Sequence, residues 1–199
     1  MQAAELRTES LFQVWQVHSA EVARADAPQS GRSSIKADAI VTNRPGVTLL
    51  MRFADCVPIL VFDPLRKAIG IAHAGWLGTI RGVAASLVNT MTREFGSLPG
   101  DLIAGLGPSI GPDHYPVGPD VVAQVESSFG TAASEHLRRQ NGQLILDLWS
   151  ANRWQLESAG IRAVEVSGIC TACHLNDWYS HRGEHGQTGR FGAVVALRS

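Results

Sequence analysis

The chain has 199 residues, 45% of them hydrophobic, enough to bury one sizeable core, and a single domain over residues 1–199 is expected. Its 17 basic and 18 acidic side chains leave a formal charge of −1, which excludes the one-signed field that gathers phosphate backbones or anionic membranes; neither nucleic acid nor a membrane is an expected partner, and no partner protein is evident. The start MQAAELRTES lacks the basic and apolar regions of a signal peptide, no apolar run approaches the ~20 residues of a membrane span, and three cysteines are too few for a disulfide framework, so a cytoplasmic protein with free thiols is expected.

In chain order, a polar stretch over 24–37 precedes four short apolar runs rich in β-branched residues, 38–42, 47–53, 57–62 and 68–73, which read as successive strands. After Gly78 the positions Ile80, Val83, Leu87, Val88, Met91 and Phe95 recur at three and four, the apolar face of a helix that stops at Gly96. A strand over 101–106, a helix over 119–129 opened by Pro119, a strand over 143–147, a helix over 148–159 closed by Gly160 and a strand over 161–167 follow. The final run RFGAVVAL reads as a last strand. Strands alternating with helices predict a mixed α/β (α+β) layered domain.

Several residues could carry chemistry. His73 closes a strand just before a helix N-terminus, a place that favours anions, but a satisfied core histidine fits the same local sequence. Cys56 follows Asp55 between two apolar runs, and a buried structural thiol fits it equally well. Gly105-Leu106-Gly107-Pro108-Ser109-Ile110-Gly111 is not a dinucleotide loop, because its last glycine is misplaced and prolines block the helix that would hold a pyrophosphate; it reads as a rigid turn shaping a pocket wall. Cys170-Thr171-Ala172-Cys173-His174 has the spacing of a haem attachment site without an export signal, and half of a four-sulfur zinc site without the other half. The loop from Ser180 to Arg190 brings Arg182 and Arg190 among glycines, as anion binding needs.

Taken together, six motifs in fixed order resemble the YfiH family, labelled polyphenol oxidase or laccase and regarded as purine nucleoside phosphorylases. They are Gln16-Val17-His18; Ala54-Asp55-Cys56 with Pro58; His73-Ala74-Gly75-Trp76 with Gly78; Gly107-Pro108-Ser109-Ile110 with Tyr115 and Val117-Gly118; Cys170-Thr171; and Ser180-x-Arg182 with Thr188-Gly189-Arg190. The resemblance implies an αββα sandwich with a mixed sheet, and one catalytic zinc on His18, Cys56 and His73. Two imidazoles and a thiolate also suit zinc or copper chemically, and three protein ligands leave a fourth position open. The implied activity is phosphorolysis of adenosine, inosine and methylthioadenosine, with adenosine deamination as a second reaction. Arg182 and Arg190 would bind phosphate, with Tyr115 and His114 at the nucleoside. Oxidase chemistry at several coppers is disfavoured by seven histidines without a His-x-His pair. The family has further residues before the first motif, a segment this chain is expected to lack, and its arginine after His-Ala-Gly-Trp is Leu77 here. Two other uses of the same residues stand beside this one: a cysteine hydrolase or deamidase with Cys56 as nucleophile and His73 as base, and a zinc-binding module without turnover. Cys170 and Cys173 are expected to be ordinary thiols.

Overall fold

The computed structural model describes residues 8–29, 31 and 33–198. In chain order the elements are β1 (Leu11–Phe12), β2 (Val22–Arg24), β3 (Ala39–Thr42), β4 (Thr48–Phe53), β5 (Val57–Asp63), β6 (Ala68–Ala74), α1 (Trp76–Ile80), α2 (Val83–Phe95), β7 (Ile103–Leu106), β8 (Pro116–Val117), α3 (Pro119–Phe129), α4 (Ala133–His136), β9 (Leu137–Gln140), β10 (Gln143–Leu146), α5 (Leu148–Ser158), β11 (Ala163–Val166) and β12 (Phe191–Ala196). The main sheet has six strands in the order β11-β7-β5-β6-β3-β2. It is mixed, with parallel pairing at its two edges, β11 on β7 and β2 on β3, and antiparallel pairing between.

Burial explains this order. Every residue of AIGIAHA in β6 is buried, and β5 is nearly as closed, so these two strands take the centre, where both faces are covered. On one face, Val83, Leu87, Val88 and Met91 of α2 pack with Ala72, Val61 and Val41, and α3 and α5 join through Val125, Phe129, Ala151 and Leu156. On the other face a second sheet, β1-β4-β12, brings Phe12, Leu49, Met51 and Phe53 onto Ile40, Ile69 and Ile71. The described layers are therefore helices, large sheet, small sheet. A small β8-β10-β9 sheet flanks them.

The expected strands between 38 and 73 and the helices over 119–129 and 148–159 appear with ends shifted by a residue or so. One helix differs. The expected continuous run to Phe95 is two helices, because Arg81 and Gly82 interrupt it and Gly82 takes the left-handed conformation at φ 78°. The periodicity misses this, since the apolar face continues in phase across the break. The polar stretch over 24–37 holds the end of β2, and β9 was not expected: Leu137-Arg138-Arg139-Gln140 is mostly exposed and lacks an apolar pattern.

Candidate functional site

The turn between β4 and β5, the C-terminal ends of β6 and β7, and the loops around residues 13–19 and 180–190 meet at one end of the large sheet. The register fixes this, since Val57 at the start of β5 pairs with Ala74 at the end of β6, and Ile59 pairs with Leu106 at the end of β7. A cavity of about 1190 Å³ opens there, and His18, Cys56 and His73 line it.

The ligand atoms of these three residues all lie within 4.8 Å of one another. The His18 and His73 rings meet edge-on with centroids 4.9 Å apart. Gly75 makes the convergence possible: a Cβ there would lie 2.7 Å from Cys56 Sγ and 3.4 Å from His18 Cδ2. The donor set of two imidazoles and a thiol fits zinc or another borderline-soft ion, and all three residues line the cavity.

Asp38, at the entrance to β3, organises the group and is fully buried. Its Oδ1 lies 3.0 Å from His73 Nδ1, which leaves Nε2 for the site. Its Oδ2 accepts from Val17 N at 3.0 Å, Ser19 N at 2.6 Å and Ser19 Oγ at 2.9 Å, so one carboxylate positions His73 and the loop that carries His18. His18 itself sits at φ 58°, and its carbonyl accepts from Arg81 Nη1 at 2.7 Å. Burial pushes the Asp38 carboxyl up, but the bonds from His73, Ser19 and Val17 outweigh it and bring it down to about 2. Burial likewise raises the Cys56 thiol, yet the positive charge of His73 and His18 prevails and lowers it to about 6. His73 is held up to about 9: burial opposes its charge, and the Cys56 thiolate and Asp38 more than compensate. Without a metal, these opposed shifts favour a thiolate–imidazolium pair between the half-buried thiol and the buried imidazole.

Asp55, at φ 80° just before Cys56, is a second buried carboxylate at this site. Its Oδ1 accepts from Thr171 Oγ1 and Ser180 Oγ, each at 2.7 Å, and its Oδ2 accepts from Arg182 N at 2.6 Å. Its carbonyl accepts from Ile110 N at 2.9 Å. Four of the sequence motifs are thus tied to one residue. Sequence reasoning gave neither aspartate a role, although an acidic residue opening an otherwise apolar strand, as at Asp38, marks a carboxylate with a buried partner.

Arg182 lines the cavity, donates from Nη1 to Pro116 O at 2.9 Å and lies 4.9 Å over the Tyr115 ring. Burial and the nearby Cys56 thiolate hold the Tyr115 phenol well above its usual range against the pull of Arg182, so it remains a hydrogen-bond donor. Arg190 also lines the cavity, its Nη1 on the carbonyls of Gly189 at 2.7 Å and Thr188 at 3.2 Å. Arg52 is a third cation on the wall that the sequence did not mark; its backbone exchanges two hydrogen bonds with the Gln16 amide, at 2.8 and 2.9 Å. Ile110 makes the 107–111 turn part of the wall, as expected. Leu77 and His114 do not line the cavity. Arg81, four residues beyond Leu77, reaches the His18 carbonyl, and His114 Nδ1 faces Cys173 and Cys170.

The chain is similar to several known proteins. The family described as multi-copper polyphenol oxidoreductase laccase matches residues 1–198. A purine nucleoside phosphorylase of Deinococcus radiodurans is 41% identical over 182 residues, covering 92% of this chain and 68% of its own length. The purine nucleoside phosphorylase YlmD of Bacillus subtilis is 35% identical over 178 residues, 88% of this chain and 64% of that protein. The chain thus spans about two thirds of the length of these relatives. The crystal structure of the protein YfiH of Bacillus licheniformis superposes with a TM-score of 0.92 at 35% identity, covering 98% of this chain and 76% of that one.

Proposed function

Since the chain belongs to the polyphenol oxidoreductase laccase family that includes YfiH and YlmD, we propose that it is a zinc-dependent purine nucleoside phosphorylase acting on adenosine, inosine and methylthioadenosine, with adenosine deamination as a second activity. The observation that carries this reading is the convergence of His18, Cys56 and His73 at a cavity whose wall presents Arg52, Arg182 and Arg190. A metal-ligand set beside three guanidinium groups suits a dianionic co-substrate and a polar reaction better than a thiol nucleophile alone.

In phosphorolysis a phosphate oxygen attacks the anomeric carbon of the ribose, the bond to the purine nitrogen breaks, and its electron pair leaves with the base. The arginines bind and orient the phosphate as planar forks. Arg182 is held for this by Pro116 O and the Tyr115 ring, and by its backbone on Asp55. The Tyr115 phenol donates a hydrogen bond to the nucleoside or the phosphate. His18, Cys56 and His73 would hold a zinc ion, which when bound would supply Lewis acidity and, for deamination, water activation. The seating of His73 against Asp38 holds its ring in the ligating orientation.

The thiolate–imidazolium pair of Cys56 and His73 favours a second reading, cysteine-nucleophile hydrolysis. One assay separates the two: adenosine and phosphate are incubated with the protein before and after metal removal, and adenine and ribose 1-phosphate are followed. Phosphate-dependent release of adenine, lost with the metal and restored by zinc, is expected. Turnover by protein shown to be metal-free would instead support the nucleophile.

A further inference from the structure

A second cluster of metal-ligating side chains lies outside the cavity. His114 ends a single 3-10 turn, Pro112–His114, while Cys170 precedes and Cys173 ends another, Thr171–Cys173. His114 Nδ1 is 3.6 Å from Cys173 Sγ and 3.8 Å from Cys170 Sγ, and the three atoms lie within 4.8 Å of one another. A tetrahedral zinc ion, with Zn–N near 2.0–2.1 Å and Zn–S near 2.3 Å, holds nitrogen and sulfur about 3.6 Å apart. Cys170 Sγ also accepts a backbone hydrogen bond from Gly111 N at 3.2 Å, which fixes the position of the sulfur. Gly111 leaves room for that approach, since a Cβ there would lie 3.1 Å from Cys170 Cβ and 3.3 Å from its sulfur.

We propose that His114, Cys170 and Cys173 form a second, structural site for a soft divalent cation such as zinc, independent of the site at His18, Cys56 and His73. The missing partner of the CxxC pair is not a second CxxC but a histidine more than fifty residues upstream, which the fold brings to it. His114 and Cys173 are exposed, so the ion enters from solvent and keeps a fourth position open to water. Its effect is mechanical. The ion joins the segment leading into Tyr115, on whose ring Arg182 lies, to the turn whose Thr171 holds Asp55, so it braces two parts of the cavity wall from behind.

The test counts zinc by mass spectrometry in reduced, zinc-titrated and desalted protein. Two equivalents per chain are expected in the natural sequence, one in Cys56→Ser, one in Cys173→Ser and none in the double variant. In the Cys56→Ser protein, zinc should also raise the melting temperature and protect both remaining thiols from a thiol reagent, an effect that needs no change at Cys173. Cobalt bound to that protein should show thiolate-to-metal absorption, lost in the double variant. A single equivalent in the natural sequence unaffected by Cys173→Ser, unprotected thiols in zinc-loaded Cys56→Ser, or a Cys170–Cys173 disulfide forming equally fast with and without zinc would each overturn the proposal.

Discussion

At the scale of the residue, Asp38 accounts for more of the site than any ligand does. It touches no cavity surface, yet it fixes the His73 ring and the backbone on both sides of His18. Asp38→Asn keeps the shape but removes the charge, and zinc affinity at the first site is expected to fall about 10–100-fold, measured by competition with a chromophoric chelator. The pH dependence has a definite sign. The carboxyl lies near 2 in the fold against 3.8 unfolded, so its contribution, about 2 kcal/mol, is present above pH 3.8 and disappears as pH falls through 2. Acid melts of the natural and Asp38→Asn proteins should therefore converge at low pH and diverge above it. Cys56 gives a second titration: thiolate absorbance in metal-free protein should appear as pH rises through about 6, well below the ordinary 9.0, and be missing from Cys56→Ser. Appearance only near 9 would mean that the histidine charges do not reach the sulfur.

At the scale of the element, the β6–α1 junction sets how close the ligands come. Gly75 has an ordinary backbone conformation, so alanine strains nothing there but brings a methyl within 2.7 Å of Cys56 Sγ. Gly75→Ala should fold with nearly unchanged circular dichroism and lose zinc at the first site; retention of zinc would show that Cys56 can swing aside. The strands and helices that pass this junction were legible in the sequence because they follow simple periods: the closed runs of β5 and β6 and the stripe of α2 are hydrophobic burial written directly in residue order. The break at Gly82 was not legible, since it turns on one left-handed residue and on Arg81 reaching back to the His18 carbonyl, a tertiary contact. For the same reason local sequence left Cys56 and His73 undecided. It was the motif order that raised them as a pair with His18, while Arg52, Asp38 and the role of Asp55, whose partners lie across folded loops, stayed hidden.

At the scale of the whole molecule, charge is distributed unevenly despite a net value of −1: Arg52, Arg182 and Arg190 share one cavity. Removing one charge-assisted contact costs about 1.5–3 kcal/mol, so Arg182→Ala should raise KM for phosphate by about 10- to 150-fold, and added salt should weaken phosphate in the natural protein more than in the variant. An unchanged KM would assign the clamp to Arg52 and Arg190. The hydrogen bonds on Asp55 carry a further consequence, for the order in which the molecule is made. They join residue 55 to partners 116, 125 and 127 positions downstream. Closure over such spans comes late in folding, because the loop entropy must be met before the contacts repay it. During synthesis the large sheet can pair through β7 while the cavity still lacks its wall, since Thr171, Ser180 and Arg182 have yet to leave the ribosome. The strands that place Cys56 and His73 are therefore synthesised well before the segments that complete the wall around them.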